Sequence, residues 1–254
     1  MRIRILGCSG GFGGGRRTTC LQVDGDILID AGTGAGALGL QEMRQIRHIF
    51  ITHSHLDHIA GIPLMVDSIF LESQQPVIVH ASPDTIDALK KHIFNWKIWP
   101  DFARLPSADR PMLRYEVMRA GETVEVEGRK IEMVPVNHVV PGVGYLIEDA
   151  RSKFAFSGDT TSNDSLWSTL NARAALNALV VECAFGNGDI DMCRKAYHYC
   201  PQLLAADLEK LRHQPRIYLS HLKPGAEESI FDECRTAIRG FQVIRLFDGD
   251  TIQL

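Results

Sequence analysis

The motif His-Ser-His-Leu-Asp-His at positions 53–58 directly follows an apolar segment, residues 49–52. Side chains two residues apart on an extended chain point to the same side, so His53 and His55 share one face. If a helix begins next, Asp57 and His58 lie across a narrow gap from them. Imidazole nitrogens and carboxylate oxygens suit Zn²⁺ and, less selectively, Mn²⁺ or Fe²⁺. The motif therefore predicts a metal site, because a polar surface turn does not explain this density of ligands.

Three further residues with metal-binding side chains repeat the same arrangement. His138, Asp159 and His221 each lie just beyond a predicted apolar strand. The loops that follow the strands of a layered protein converge on one edge of its sheets. We therefore expect these three side chains to meet the motif at 53–58.

These motifs, in this order, resemble the metallo-β-lactamase superfamily, whose members carry His-x-His-x-Asp-His followed by a His, an Asp and a final His. The resemblance implies an α+β (α/β) protein with a four-layer αβ/βα sandwich. It also implies two bound Zn²⁺ ions, with Mn²⁺ or Fe²⁺ as alternatives. The implied ligands are His53, His55 and His138 for one ion, Asp57, His58 and His221 for the other, and Asp159 as the bridge.

A bridged pair of ions about 3.5–4 Å apart lowers the pKa of the water between them and neutralises charge on phosphate oxygens. Hydrolysis of a phosphodiester needs both effects, together with a proton for the departing alkoxide. The resemblance thus predicts attack by a metal-bridging hydroxide, which Asp57 orients while it remains a ligand.

Glu182 and His198 provide a candidate proton donor. Glu182 follows the apolar strand predicted at 178–181, and His198 precedes a helix predicted from Pro201. The pairing resembles the phosphodiesterase branch, in which a Glu orients a His at the scissile phosphate. It implies that Glu182 holds His198, which stabilises the phosphoryl oxygens or protonates the leaving oxygen. The residues alone leave a purely structural role for both side chains open.

Within that branch the chain resembles the class II 3′,5′-cyclic nucleotide phosphodiesterases over nearly its whole length. The segments that carry this resemblance are 6–10, 53–61, 94–95 with 98–100, 135–138 and 220–224. Pro63 departs from the aliphatic residue that the eukaryotic members prefer. The resemblance implies hydrolysis of cAMP or cGMP to 5′-nucleoside monophosphates.

The first alternative is a tRNA 3′-processing endonuclease, RNase Z, which shares the Glu182 and His198 features. Its members commonly insert a long basic arm before the bridging Asp, whereas a predicted hairpin fills residues 142–156 here. The formal net charge of −4 also lacks the basic excess of a tRNA binder. We therefore expect a small phosphodiester rather than a nucleic-acid polymer. Other hydrolases of the superfamily, and a non-catalytic metal- or ligand-binding protein, are the remaining alternatives.

Strands and shorter helices must position these residues, and their patterns interleave along the chain. Strands are predicted at 2–6, 19–23, 27–30, 48–52, 76–80, 129–136, 143–148, 153–156, 178–181, 216–219 and 242–247. Helices are predicted after Ser82-Pro83 and at 164–174, 201–211 and 227–238. Asp24-Gly25 is typical of a hairpin turn. No linker or internal repeat interrupts the pattern, so we expect one domain over residues 1–254.

Two segments have no assigned role. The Gly-rich loop at 7–15 fits neither phosphate-binding pattern, which favours a tight inter-strand loop over a phosphate cradle. Residues 96–111 contain Trp96 and Trp99 and are predicted to form a loop or lid. Its aromatic side chains either stack on a nucleobase or pack the loop onto the core.

Composition limits where the protein acts. Six cysteines occur without a Cys-x-x-Cys pair, and no apolar run approaches the ~18 residues of a membrane span. The alternating amino terminus predicts a first strand rather than a secretion signal. We therefore expect a cytoplasmic protein with reduced thiols and no membrane partner; a homodimer is left open.

Overall fold

Two mixed β-sheets make up the centre of the fold in a computed structural model that describes residues 1–73, 75–173 and 175–254. The strands are β1 (Arg2–Gly7), β2 (Cys20–Val23), β3 (Ile27–Ile29), β4 (His48–Phe50), β5 (Val77–Ala81), β6 (Pro106–Ser107), β7 (Arg110–Pro111), β8 (Leu113–Val117), β9 (Thr123–Val126), β10 (Arg129–Pro135), β11 (Val143–Glu148), β12 (Lys153–Phe156), β13 (Ala178–Glu182), β14 (Arg216–Ser220), β15 (Val243–Arg245) and β16 (Thr251–Gln253). The helices are α1 (Leu40–Gln45), α2 (Leu56–Ile59), α3 (Gly61–Ile69), α4 (Pro83–Ala88), α5 (Ser165–Asn171), α6 (Ile190–Ala196), α7 (Pro201–Leu208) and α8 (Glu227–Ala237).

The strand order explains why the predicted ligands meet at one edge. The first sheet has the order β16-β1-β2-β3-β4-β5-β8, and the second has the order β15-β14-β13-β12-β11-β10-β9. The strands β3, β4, β5 and β8 run parallel, as do β12, β13, β14 and β15. The carboxyl ends of each parallel set therefore face the same way, and the loops that follow them carry the site.

Three clusters of buried apolar side chains define the layers. The middle cluster fills the space between the sheets and includes Phe50 of the first sheet and Tyr145 of the second. The outer clusters join the first sheet to α3 and the second sheet to α5, α7 and α8. The four-layer sandwich of the αβ/βα type is thus confirmed.

Local sequence signals account for several connections. Asp24 and Gly25 both adopt positive φ, as the turn that joins β2 to β3 requires. The Ser82 hydroxyl accepts a hydrogen bond from the Thr85 amide at 3.3 Å, and Pro83 opens α4. The connection from His138 to Asp159 contains the antiparallel pair β11–β12, as predicted.

The remaining differences concern element boundaries and elements that the sequence did not predict. The strands predicted at 48–52 and 242–247 are shorter, and the helix predicted at 201–211 ends at Leu208. The helix predicted at 164–174 is α5, and Ala174 lies outside the described residues. The sequence did not predict α3, because Gly61 and Pro63 in its first turn obscure its apolar periodicity. It also missed the half-exposed strand β8.

Across the described ranges, no helix combines the length and the apolarity needed to cross a bilayer.

Candidate metal centre

The first four predicted ligands lie where β4 leads into α2. The chain leaves the sheet at Phe50 and places His53 in the interior, fully buried. His55 then occupies the position before the first turn of α2, with an extended backbone. The helix carries Asp57 and His58 on its first turn, which brings them back toward His53.

The structure brings all seven predicted ligands together in two adjoining groups. One ligand atom of each residue lies within 4.8 Å of the others in its group. The first group is His53, His55 and His138; the second is Asp57, His58, Asp159 and His221. Asp159 also approaches the first group, with Oδ2 3.8 Å from His53 Nε2. It therefore occupies the boundary between the groups, where a bridging carboxylate is predicted.

Several buried ring nitrogens face this boundary without a partner. Among the described residues, His53 Nε2, His58 Nε2 and His221 Nδ1 make no hydrogen bond. Leaving a buried polar atom unpaired costs about 1–3 kcal/mol, so three in one place call for an explanation. His58 Nε2 and His221 Nδ1 each lie 3.3 Å from Asp159, a separation that fits atoms arranged around a common cation.

The protonation of these groups suits a divalent cation. Burial lowers the pKa of His138 to about 4 and that of His221 to about 3, so both rings are neutral and offer a lone pair. Burial would raise the pKa of Asp159, but the neighbouring imidazoles outweigh it and hold that pKa well below its usual value. His58 differs: burial would lower its pKa, but the charges of Asp159 and Asp30 outweigh it and raise that pKa well above its ordinary value, so a bound cation would displace a proton there. Imidazole nitrogens around an ionised carboxylate are the donor set expected of a zinc-type site.

A second layer of contacts orients the ligands, and the sequence did not predict it. The Asp30 carboxylate lies 2.7 Å from His58 Nδ1 and also accepts hydrogen bonds from the amide and hydroxyl of Thr52. The Thr52 hydroxyl in turn lies 3.0 Å from His53 Nδ1. Such contacts leave the opposite ring nitrogen to face a metal. The available signal was that Asp30 ends an apolar strand, as Asp159 follows one.

Three non-glycine residues around the site adopt the left-handed backbone conformation. Asp30, Tyr197 and His221 have φ values of 55°, 56° and 61°. The Tyr197 carbonyl lies 3.0 Å from His138 Nδ1, and the His221 amide donates to the Cys8 carbonyl at 2.6 Å. Strained residues of this kind cluster at functional sites, because the surrounding structure must hold them.

The Gly-rich loop packs against this site. A Cβ atom at Gly10 would lie 2.4 Å from the His221 carbonyl oxygen, so only glycine allows this approach. The amides of Ser9 and Gly10 donate to the carbonyls of Arg17 and Leu222. These amides are therefore already used, which favours the tight inter-strand loop over the phosphate cradle.

Glu182 and His198 form the predicted pair beside the ligand groups. Glu182 Oε1 lies 2.7 Å from His198 Nδ1, and both residues are buried. Backbone amides of Thr160, Ala184 and Tyr199 also donate to this carboxylate. Glu182 is therefore fixed from several sides, and it fixes the imidazole in turn.

The same pair sets the protonation and direction of His198. Burial would lower the pKa of His198, but the charge and hydrogen bond of Glu182 outweigh it and raise that pKa. The ring stacks on His221, with centroids 5.4 Å apart. His198 also lies next to His138 and Asp159. It therefore faces the space in which a substrate held by the ligand groups would react.

The two tryptophans of segment 96–111 have different environments. Trp99 packs against the outer core of the first sheet, whereas Trp96 is 58% exposed. Packing onto the core thus accounts for Trp99, whereas the exposed Trp96 is free to stack on a nucleobase. The segment also contains the short pair β6–β7.

Comparisons with known proteins identify the family of the chain. A family model described as a β-lactamase superfamily domain matches residues 26–222. A probable 3′,5′-cyclic-nucleotide phosphodiesterase from Yersinia pestis is 29% identical over 209 residues, covering 73% of this chain and 59% of that protein. A ribonuclease Z from Azobacteroides pseudotrichonymphae is 24% identical over 268 residues, covering 90% of each. The chain thus spans less than two thirds of the Yersinia relative.

Among solved structures, unliganded yeast PDE1 superposes on the whole chain with a TM-score of 0.84 at 20% sequence identity, covering 99% of the yeast chain. At this level of identity the similarity establishes the shared fold.

Proposed function

The chain belongs to the β-lactamase superfamily and is a metal-dependent hydrolase, and we propose that it opens 3′,5′-cyclic nucleotides to 5′-nucleoside monophosphates. The observation that carries the phosphodiesterase reaction is the Glu182–His198 pair, joined at 2.7 Å beside the ligand groups, and the short connection between His138 and Asp159 favours the cyclic substrate. A phosphodiester needs a proton for its departing oxygen, and an imidazole held by a carboxylate is suited to supply it.

The ligand groups fit two divalent cations, and we take Zn²⁺ as the first choice. His53, His55 and His138 would hold one ion, Asp57, His58 and His221 the other, and Asp159 both. When bound, such a pair supplies hydroxide near neutral pH and neutralises charge on the phosphate oxygens.

The protein's own residues would divide the remaining work. His198 uses Nδ1 to contact Glu182, so Nε2 is left to hold a proton and deliver it to the departing 3′ oxygen. The Asp57 side chain is 33% exposed, the most open of the carboxylates at the site, and can orient the attacking water. Burial of His198 and Glu182 keeps their hydrogen bond away from competing water.

The short connection between His138 and Asp159 favours a small substrate. It consists of the pair β11–β12, which leaves no long basic arm for gripping a polymer. The net charge of −4 points the same way, because proteins that bind nucleic acid broadly carry a positive excess. A small anionic diester, attracted by the bound cations, meets these conditions.

A ribonuclease Z activity is the second candidate, favoured by a match to the Azobacteroides ribonuclease Z that covers 90% of both chains. The two activities make different demands on the protein. A tRNA substrate must be bound through many phosphates, so its cleavage would weaken steeply with salt. Hydrolysis of a cyclic nucleotide would depend on salt far less.

The deciding experiment compares substrates on one metal-loaded preparation. We would measure hydrolysis of cAMP, cGMP, bis(p-nitrophenyl) phosphate and a pre-tRNA across a salt series, with metal content determined by mass spectrometry. Turnover of the cyclic nucleotides supports the proposal. Hydrolysis of the model diester alone would overturn the substrate assignment and keep the reaction class. Salt-sensitive cleavage of pre-tRNA without cyclic nucleotide turnover would establish the second candidate.

Two variants separate catalysis from simple ligand binding. His198→Ala and Asp57→Ala are expected to lose turnover, whereas His92→Ala alters an exposed histidine and is the matched control. Equal activity in all three would mean that the site binds ligands without catalysing this reaction.

A further inference from the structure

A cavity opens beside the metal centre, along the same edge of the two sheets. We call it the side groove; its walls are residues 82–83 after β5, 118–120 after β8, and 133 with 135–143 at the end of β10 and beyond. Strands β5 and β8 run parallel to β4, so they end at the edge where the chain leads into His53. His138 lines the side groove and also belongs to the first ligand group. The side groove therefore adjoins the metal centre through a shared side chain.

Backbone hydrogen bonds hold the walls of the side groove in place. The Met118 amide donates to the Ala81 carbonyl at 2.9 Å, which ties the end of β8 to the end of β5. The Val143 amide donates to the Thr52 carbonyl at 3.0 Å, which fixes the far end of the loop after β10 against the first sheet. These contacts depend on the protein alone, so the side groove is pre-formed, as small-molecule sites usually are.

The lining of the side groove is largely apolar. Its volume is about 670 Å³, and Pro135, Val139 and Pro141 are among its walls. Arg119 and Asn137 add polar groups, and none of the described residues that line it is acidic. Val139 is 55% exposed, although it is apolar. Apolar walls with a few polar groups are typical of a site for an uncharged or weakly polar part of a small molecule.

Size alone does not select this cavity. A cavity of about 610 Å³ is lined by Pro76 and Met112, which precede β5 and β8, and so lies at the opposite edge of the first sheet. It shares no residue with either ligand group. Adjacency to the metal centre therefore distinguishes the side groove.

We propose that the side groove holds the nucleobase of the substrate while the ligand groups hold its phosphate. This inference rests on the proposed function and names the part of the substrate that the metal centre does not bind. Ribose joins the phosphate to the base, so a nucleotide with its phosphate at the ligand groups must place its base in a neighbouring space. A base is flat and uncharged, so valine and proline side chains can cover its faces, and the planar guanidinium of Arg119 can stack on it.

Trp96 is the rival platform for a base, but it lies on a different part of the chain's path. Between β5 and β8 the chain passes from the metal-centre edge, where β5 ends, to the opposite edge, where β8 begins. Trp96 lies on this passage, beyond α4. His138, in contrast, belongs to the side groove and to the ligand groups at once.

The test compares two ligands that share a phosphate and differ in the base. We would measure the binding of 5′-AMP and of ribose 5-phosphate to the metal-loaded protein by isothermal titration calorimetry, which needs no turnover. The wild type should bind 5′-AMP about 10- to 100-fold more tightly, the range expected for one stacked base. We call this ratio of affinities the base increment.

Val139→Ser should lower the base increment by about three- to tenfold, because apolar contact with the base is lost. Its affinity for ribose 5-phosphate should not change, whereas a structural disturbance of His138 would weaken both ligands. The KM for cAMP should rise by the same factor at unchanged kcat. Val117→Ser is the matched control, since Val117 is 47% exposed and lies outside the side groove.

The outcomes separate the side groove from the proposed function. A wild type that binds both ligands equally, or a base increment that Val139→Ser leaves intact, would overturn the side-groove proposal. Loss of the increment in Trp96→Ala but not in Val139→Ser would do the same and place the base on the segment 96–111. An increment that depends on Val139, in a protein that does not turn over cyclic nucleotides, would keep the side groove and overturn the proposed function. Binding of neither ligand would overturn both.

Discussion

Polar residues flank the strands β3 and β10 at both ends, and the two ends satisfy these polar groups in opposite ways. At one end, which we call the paired end, Asp26 precedes β3 and Arg129 begins β10. The guanidinium of Arg129 donates to both oxygens of Asp26, at 2.7 and 2.6 Å, and joins the two sheets. At the other end, the ligand end, Asp30 follows β3 and His138 lies beyond β10. Buried ring nitrogens there face one another without partners among the described residues.

This difference indicates that the ligand end, and not the paired end, needs a bound ion to satisfy its polar groups. Asp24 adds a further carboxylate 3.5 Å from Arg129, so the guanidinium of the paired end finds all its partners within the protein. The ligand end instead leaves buried ring nitrogens of His53, His58 and His221 without a hydrogen-bond partner among the described residues. A bound cation would complete it. The paired end should therefore control stability, and the ligand end activity.

Among the variants considered, Asp159→Ala should cause the largest loss of activity. Its carboxylate contacts both ligand groups, so its removal should impair both ion positions. We expect phosphodiesterase activity to fall by about 10⁴-fold, equivalent to about 5 kcal/mol of transition-state stabilisation. The metal content per chain should fall with it. Asp232→Ala, at an exposed helical position, is the control, and full metal content in Asp159→Ala would contradict the bridging role.

Replacing His198 by Ala should lower turnover by about 10²- to 10³-fold, the range expected for loss of a positioned proton donor. The metal content should stay unchanged, because none of the seven predicted ligands is altered. Glu182→Gln should show a smaller loss, since the imidazole remains but loses its charged partner. Steady-state kinetics with bis(p-nitrophenyl) phosphate measures both. Wild-type turnover in His198→Ala would remove this residue from the mechanism.

Asp30→Asn tests the contacts behind the ligands. Asp30 holds His58 and Thr52 but faces no open space, so it acts through the ligands it orients. The variant should bind metal about 10- to 100-fold more weakly, the usual cost of losing such a partner. Competition with a chelating dye measures this affinity. Unchanged affinity would show that packing alone orients His58.

Asp26→Asn tests the paired end and should have the smallest effect. It should lower the free energy of unfolding by about 1–2 kcal/mol, as for loss of a partly exposed charged hydrogen bond. Activity per folded, metal-loaded chain should not change. Urea denaturation followed by circular dichroism measures the first quantity, and turnover the second. A large loss of activity at unchanged stability would contradict the division between the two ends.

The same variant has a defined pH dependence. Burial raises the pKa of Asp26, but the hydrogen bonds and charge of Arg129 outweigh it, so the folded-state pKa lies below the ordinary value of 3.8. A lowered carboxylate pKa stabilises the fold above that value and loses this contribution as the pH falls through the folded-state pKa. The stability difference between wild type and Asp26→Asn should thus be constant near neutrality and shrink below about pH 4.

The fold was predictable where local pattern and packing agree. The largely apolar strands at 143–148 and 153–156 have the same bounds in the structure as in the sequence prediction. Prediction failed where a local signal was masked or weak. Pro63 and Gly61 hide α3, and β8 exposes alternate residues on the edge of its sheet. Tertiary packing stabilises both elements, and single-sequence patterns do not report it.

The sequence by itself determined the chemistry at the ligand end. The residue types and order of the motif at 53–58, of Asp159 and of the Glu182 and His198 segments indicate metal-assisted hydrolysis before any contact is known. The length of the 138–159 connection also excludes a long inserted arm. These conclusions depend on identity and spacing, which a sequence states directly.

Only the tertiary structure decided how those residues are held. It placed Asp30 behind His58, the Tyr197 carbonyl against His138, and the Cys193 thiol against the His198 carbonyl. It also paired Asp26 with Arg129 at the opposite end, 103 residues apart in the chain. Such contacts follow from how the sheets and their loops pack, and a strand's alternation defines its faces without naming the partner across the gap.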